Sequence, residues 1–394
     1  MTTEDRVHAV STFGFTERQA RFLVLVLRHA GVCMPRQYAS FAGIANGGRR
    51  CNAFFDKLVR RGYATASHCM HNRGRLYHVH SKRLYYAVGE PNSRYRRPVP
   101  ARGAVGRLMR LDAVLASPHL NWLATESEKV TFLTGLTASA PANSSPDAPV
   151  DAASSGSLTE FPGTFPIGLD PSGGAVLLYL ATVSWTEEFR TFLQGHATLL
   201  RMAPTWTLRL VFPRPLDRAY DAYQSVIREE FETPLQPATI RELKWYFERR
   251  RTAADQRPDT LTRASLERGL QVFSGPRFTL LYRRWLKHGD AVFESVSSPV
   301  IAEALAAGTA RVECVVLPHT YRHLSPLVDH VRSAPQRVEK GLRRGNREGN
   351  RPQHGLNPRP QPPRAVSEES INEQLTRGWY RLVEAHKAER HSDL

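Results

Sequence analysis

Apolar positions along this chain keep two rhythms. From Glu17 to Arg61 they recur every three or four residues, and from Tyr63 to Val88 they alternate. The first rhythm marks one face of a helix and the second the two faces of a strand. Thr16-Glu17-Arg18-Gln19 has the capping-box form that opens a helix. Phe22, Leu23, Val26 and Leu27 follow at helical spacing, and Gly31 ends the segment. Pro35 fits the first turn of a second, short helix running to about Phe41. Gly47-Gly48 breaks the chain. A third helix is predicted from about Arg49 to Arg61, with Cys51, Phe54, Phe55, Leu58 and Val59 as its core face. Gly62 closes it. Strands are then expected at Tyr63 to Met70, Leu76 to His80 and Arg83 to Val88, the first two joined by a turn at His71-Asn72-Arg73-Gly74-Arg75.

Val105, Leu108, Leu111, Val114 and Leu115 mark a further helix, and Trp122 to Leu136 reads as partly helical. Thr137 to Ser157 is rich in Ala, Ser, Pro and Asp with Val150 as its one larger apolar residue, the composition of a linker. Beyond it a strand is predicted at Phe165 to Asp170 and a turn at Pro171 to Gly174. The unbroken apolar strand Ala175 to Thr182 follows, then an amphipathic helix at Glu187 to Met202 and a buried strand at Thr207 to Phe212. That succession is an α/β core. Residues 216–251 and Leu261 to Val272 read as helices, and Phe278 to Leu286 and Arg311 to Leu317 as strands. Residues 335–366 hold six prolines and few large apolar residues, which predicts disorder. Ile371 to His391 reads as an amphipathic helix able to dock on the body or on a protein partner.

Composition sharpens this picture through charge. The first 110 residues carry 20 Lys and Arg against 5 Asp and Glu, a balance of +15 in a chain whose total is +17. Such a segment favours a polyanion, because neutralised phosphates release condensed counterions. The segment from Gln336 to Arg364 adds 8 Lys and Arg against 2 Glu. The longest apolar run, Ala175 to Ala181, is seven residues, too short for a membrane span. No membrane partner is expected. The first residues lack the apolar stretch of a signal peptide. Cys33, Cys51, Cys69 and Cys314 form no CxxC pair and read as reduced thiols, so a cytoplasmic protein is expected.

Helix, helix, helix, hairpin is the order of a winged helix-turn-helix, whose third helix enters the major groove. Arg49, Arg50, Asn52 and Lys57 lie on the polar face of that helix. Arginine suits the acceptor pair of guanine, and asparagine the donor–acceptor pair of adenine. Arg73 and Arg75 on the wing, Lys82 after it, and Arg94, Arg96 and Arg97 on an arm between prolines are expected to hold phosphates. A solvated arginine face would look the same on one helix alone; the charge of the whole segment favours double-stranded DNA. His68, Cys69, His71, His78 and His80 cluster on the hairpin, but their spacing matches no zinc-finger pattern. Pro318 to His323 places two histidines four apart without an accompanying glutamate, and reads as a loop.

The strand, hairpin, strand, helix, strand order resembles the restriction-endonuclease-like core. Coupled to a winged helix over about residues 14–215, it resembles the replication-relaxation family of plasmids and mobile elements. That resemblance implies a P-D-G-like step and then a strand with a glutamate, the acids that hold a metal for phosphodiester cleavage. Here the step reads Pro166-Ile167-Gly168, and the strand, Leu178-Tyr179-Leu180-Ala181, has neither Glu nor Lys. Asp170 is the one acid on the hairpin, and Glu187 and Glu188 sit at a helix start, where carboxylates meet the dipole. A degenerate core is expected, with no catalytic residue, no metal and no cofactor.

The expected organisation is a winged helix-turn-helix over 1–100, a helical connector over 101–136 and a linker over 137–160. An α/β nuclease-like domain over 161–333, a disordered basic tail over 334–370 and a terminal helix over 371–394 complete it. The leading function is DNA binding in replication, transfer or transcriptional regulation of a plasmid or mobile element, with homodimerisation on a two-fold site. A metal-dependent nuclease or nicking enzyme and an RNA-binding or assembly scaffold are the other readings.

Overall fold

A computed structural model describes residues 1–45, 48–68, 75–99, 101–139, 165–255 and 260–321. The expected wing turn with Arg73, Cys69 and His71, the expected linker beyond Ser139, His323, and the segments expected as a basic tail and a terminal helix lie outside the described residues. The fold is mixed α+β, with one sheet of three strands and one of five among the described residues.

The first sheet is surrounded by helices that the sequence pattern anticipates. Helix α1 (Thr3–Ser11) precedes α2 (Glu17–His29), whose N-terminus is capped as predicted: the Thr16 side chain accepts from the Gln19 amide, and Gln19 accepts from Thr16 N–H. Strand β1 (Val32–Cys33) leads into α3 (Pro35–Phe41), with Pro35 in its first turn. Helix α4 (Gly48–Arg60) then buries Cys51, Phe54, Phe55 and Leu58. Strands β2 (Ala64–His68) and β3 (Arg75–Val79) form an antiparallel pair, and β1 adds to the other edge of β3. Two expectations fail here. Val59 faces solvent at 40% exposure, because it lies at the edge of the α4 core stripe. Arg83 to Val88 is no strand but part of helix α5 (Lys82–Ala87), which buries Leu84 and Tyr85. Over six residues, alternation and helical spacing cannot be told apart until tertiary contacts choose.

The five-stranded sheet has the order β4-β5-β6-β7-β8. Strands β4 (Asn121–Leu123), β5 (Ile167–Leu169) and β6 (Ala175–Leu180) run antiparallel in sequence, and β7 (Trp206–Pro213) and β8 (Ala310–Leu317) add parallel to β6. Helix α6 (Ala101–Ala116) precedes β4, α7 (Glu126–Ser139) follows it, and α8 (Glu187–Met202) connects β6 to β7. Helix α9 (Tyr220–Ile227) runs on into a π turn at Arg228–Glu232. Helices α10 (Pro237–Asp255), α11 (Thr260–Val272), α12 (Pro276–His288), α13 (Ala291–Ser297) and α14 (Val300–Ala307) fill the stretch before β8. The strand expected at Phe278 to Leu286 is therefore helical. Pro276 opens α12, Gly289 ends it, and Leu281, Tyr282 and Trp285 fall on one buried face. Trp245–Leu270 forms a compact unit of its own, in which Gly269 lies so close to the Tyr246 ring that a Cβ would sit 2.3 Å from it.

Strand alternation makes the larger sheet a wall between two cores. Val176, Leu178, Val211 and Leu317 face one way and pack with the first sheet and its helices. Ala175, Leu177, Leu208, Leu210 and Phe212 face the other way and pack with α8 and α9. Helix α6 lies in the first of these cores, with Val105, Leu108, Met109, Leu111 and Val114 buried. It contacts α2, α3 and β1 on one side and β6, β7 and β8 on the other. The helix expected as a connector is thus a central core element.

Polar groups lock α6 in place. Asp112 accepts a two-pronged ion pair from Arg36 at 2.7 and 2.9 Å, a bond from Gln37 at 2.9 Å and one from the Tyr321 hydroxyl. Arg36 also lies over the Tyr321 ring, 5.3 Å from its centre. Tyr321 is fully buried and holds a left-handed backbone (φ 53°), a conformation that costs a side-chain-bearing residue about 1–2 kcal/mol. Its burial offsets that cost. Tyr321→Ala is expected to destabilise the protein by roughly 3–5 kcal/mol, as for other buried aromatic truncations, and Tyr321→Phe by about 1 kcal/mol. Urea denaturation of the two variants checks this; equal, small losses would show that Tyr321 anchors nothing.

Candidate nucleic-acid interface

The periodicity of α4 sets the site. Its buried stripe turns Arg49, Arg50, Asn52, Asp56 and Arg60 outward, and all five are exposed. Arg49, Arg50 and Asn52 have no side-chain partner among the described residues, so their donors are free to meet a ligand. Asp56 and Arg60 were not anticipated. Both follow from the same helical spacing, with Asp56 seven residues and Arg60 eleven residues after Arg49. Asp56 places a negative charge in the middle of the outward face, where a carboxylate repels phosphate and accepts from the amino group of cytosine.

Lys57 is on that helix but not on that face. Its ammonium donates to the Gly14 carbonyl and lies 5.2 Å from the centre of the Phe15 ring. Burial, and then Arg61, hold its pKa below the usual lysine range. Arg61 likewise donates to the Phe13 carbonyl. These two cations fasten α4 to the turn before α2, and Lys57 is a clamp within the fold.

On β3 the alternation is legible in the contacts. Tyr77 packs on Phe55 of α4, ring centres 4.3 Å apart, so Arg75, Tyr77 and Val79 share the α4 side of the sheet. Arg75 is exposed at the start of that strand, opposite His68. Leu76 and His78 face the opposite side, where His78 Nε2 meets the Tyr95 carbonyl at 3.1 Å. Lys82 is exposed in the first turn of α5.

The expected arm divides. Arg97 is exposed. Arg96 donates to the Pro91 carbonyl at 2.6 Å, and Arg94 lies over the Tyr95 ring at 5.2 Å. Both belong to a 3-10 turn, Arg94–Arg96, that buries Tyr95 against the first sheet. Gly31 (φ 68°) permits this: a Cβ there would meet the Tyr95 carbonyl at 2.4 Å. The arginines of this turn are aimed by Tyr95 and not by an extended arm.

On the five-stranded sheet, Asp170 caps its own turn. Its Oδ1 accepts from the Ser172 amide at 2.8 Å, the Ser172 hydroxyl at 2.6 Å and the Gly174 amide at 2.8 Å. Those bonds, the Ser172 hydroxyl foremost, hold its carboxyl below the usual range. Ile167 and Leu177, paired across β5 and β6, are buried and line an apolar crevice with Phe132, Leu136, Ala175 and Leu199. His319 follows β8 in a loop. Among the described residues no three His, Cys, Asp or Glu side chains gather as metal ligands do, and no helix is long and apolar enough to cross a membrane.

Lys129 on α7 is buried, and its ammonium donates to the Phe165 carbonyl. Burial first, and then the nearby charges of Arg110 and Arg94, pull its pKa down to about 7. The unfolded chain keeps that proton to about pH 10.4, so stability rises as pH rises from 7 towards 10. Lys129→Met is expected to be more stable than the native chain at pH 6.5, with the gap closing by up to ~1.4 kcal/mol per pH unit towards pH 9. Urea midpoints across that range check it; a constant gap would place the titration elsewhere. Neither protein-family models nor curated proteins nor solved structures give a match to this chain, so the reading of its surface rests on its own chemistry.

Proposed function

We propose that this protein is a sequence-reading DNA-binding protein. Residues 1–99 act as a winged helix-turn-helix, and the five-stranded sheet is a nuclease-like core that has lost its metal site. The observation that carries this reading is the outward face of α4. Arg49, Arg50 and Asn52 are free there, while the other cations of that helix are tied into the fold or hold its end. Helix α4 reads base edges through Arg49, Arg50 and Asn52, and Arg75 and Lys82 hold backbone phosphates beside it. Arg97, exposed after the Arg94–Arg96 turn, is a further residue for a phosphate contact. A DNA-binding protein of a plasmid or mobile element, acting in replication, transfer or transcriptional control, fits this chemistry and the family resemblance of the sequence.

The second sheet supports a non-catalytic role. Phosphodiester cleavage by a bound metal needs oxygen ligands side by side. Ile167 stands where the resembled core carries its aspartate, the strand Leu178-Tyr179-Leu180-Ala181 has neither Glu nor Lys, and Asp170 is committed to its turn. This sheet therefore serves to hold α6, and through it the DNA-reading helices.

The test is binding of the full chain to a duplex from its own upstream region and to a scrambled duplex at ~150 mM salt, with Mg²⁺ present. Selective binding without cleavage is expected. Arg49→Ala and Asn52→Ala should each weaken the specific complex by about 1–3 kcal/mol, roughly 5- to 150-fold, and the scrambled complex far less. Arg75→Ala should weaken both equally and flatten the salt dependence by about one phosphate contact. Equal loss on both duplexes in Arg49→Ala would sink the base-reading role, and cleavage would overturn the non-catalytic one.

A further inference from the structure

On the face of the first sheet away from α4, a second group of cations converges on one phenol. Arg94 lies 5.2 Å, Arg107 5.2 Å and Arg110 5.9 Å from the centre of the Tyr95 ring. The Tyr95 hydroxyl accepts from Arg110, and from Arg94 at 3.4 Å. Among the described residues none of these three arginines is in an ion pair. Asp112, the carboxylate on α6, is engaged with Arg36, and Glu90 before the turn and Glu128 on α7 are engaged with Arg28. Arg107 Nη1 and Arg110 Nε are buried and have no hydrogen-bond partner among the described residues. The Tyr85 hydroxyl on the same side is also buried and unpartnered there.

This arrangement is unfavourable as it stands. Three guanidinium groups gathered on one ring repel one another, and a buried donor without an acceptor costs about 1–3 kcal/mol. A ring can satisfy a cation over its face, yet one phenol cannot supply acceptors to three forks. What completes the group is an anion with several oxygens, which guanidinium forks bind two bonds at a time. Arg94 is exposed and Arg107 and Arg110 are half-buried, so one side of the group opens to solvent.

We propose that Arg94, Arg107 and Arg110, gathered on Tyr95, form a binding site for a phosphate group. The charge fits a tetrahedral oxyanion carrying two negative charges. The site is separate from the α4 surface, because Tyr95 is reached from His78, and His78 and Tyr77 point to opposite faces of β3. It does not depend on α4 reading DNA. The phosphate comes either from a free phosphate or phosphomonoester, or from a nucleic-acid backbone wrapping past the first sheet.

The experiment titrates inorganic phosphate into the full chain at constant ionic strength, against chloride, and reads thermal stability and calorimetric heat. A saturable rise in Tm is expected, with Arg107→Gln weakening phosphate at least 10-fold and Arg49→Ala leaving it unchanged. Arg94→Gln, at an exposed position, gives the same test where Arg107→Gln fails to fold. An unsaturable response, or the same affinity in native chain, Arg107→Gln and Arg94→Gln, overturns the site. A duplex arm distinguishes the sources. Loss of duplex affinity in Arg107→Gln, with a shallower salt slope, assigns the site to backbone phosphate. Unchanged duplex binding with lost phosphate binding assigns it to a free phosphate group. Failure of Arg49→Ala to affect duplex binding would count against the α4 reading alone.

Discussion

The two-pronged bond from Arg36 to Asp112 is the constraint around which the larger unit is organised. A carboxylate largely withdrawn from water needs its lone pairs filled, and breaking such a pair leaves an uncompensated charge. Asp112 meets this need from three parts of the chain: Arg36 and Gln37 of α3, and Tyr321 after β8. Gln37 in turn accepts from the Met34 amide at the start of α3 and donates to the Leu108 carbonyl of α6. One side chain therefore fixes α3 on α6 and brings the chain back from the far edge of the second sheet.

The apolar framework makes that bond possible. Strands β6 and β7 are covered on both faces, so each contributes alternate residues to two cores. Helix α6 is squeezed between the first sheet and this wall, and its own length carries apolar side chains round most of its circumference. Arg209 extends the connection: it pairs with Glu313 across the parallel strands and donates to Ser117 at 2.9 Å just beyond α6. The consequence is that the helices of the first sheet are mounted on the larger sheet through α6.

Arginine in this protein falls into four groups, separated by what each guanidinium finds nearby. Arg28 and Arg36 find carboxylates and become structural. Arg61 and Arg96 find backbone carbonyls and fasten turns. Arg49, Arg50, Arg75 and Arg97 find solvent, and Arg94, Arg107 and Arg110 find an aromatic ring that leaves much of their hydrogen-bonding capacity unused. Arg75 lies on the α4 side of the first sheet and the Tyr95 group on the other. A net charge of +17 is therefore a poor guide by itself to where an anion would bind.

Local physics alone determined a good part of this structure. The capping box at Thr16, the proline start of α3, the stripe of α4, the β2–β3 alternation and the strand–helix–strand passage from β6 to β7 all depend on neighbours within a few residues. The exposed positions Arg49, Arg50 and Asn52 follow from the same spacing. Tertiary packing decided the rest. Leu84, Tyr85 and Val88 suit a helix or a strand equally well, and Phe278 to Leu286 does too, until partners select one face. Lys57 and Arg94 looked outward because charge patterning cannot see a carbonyl forty residues away or an adjacent ring that has turned inward. The Tyr95 group joins residues from the 3-10 turn and α6, and the Asp112 lock joins residues 36, 37, 112 and 321. Contacts of that separation exist only after the chain has folded, since no periodicity records which distant side chains will share one buried space.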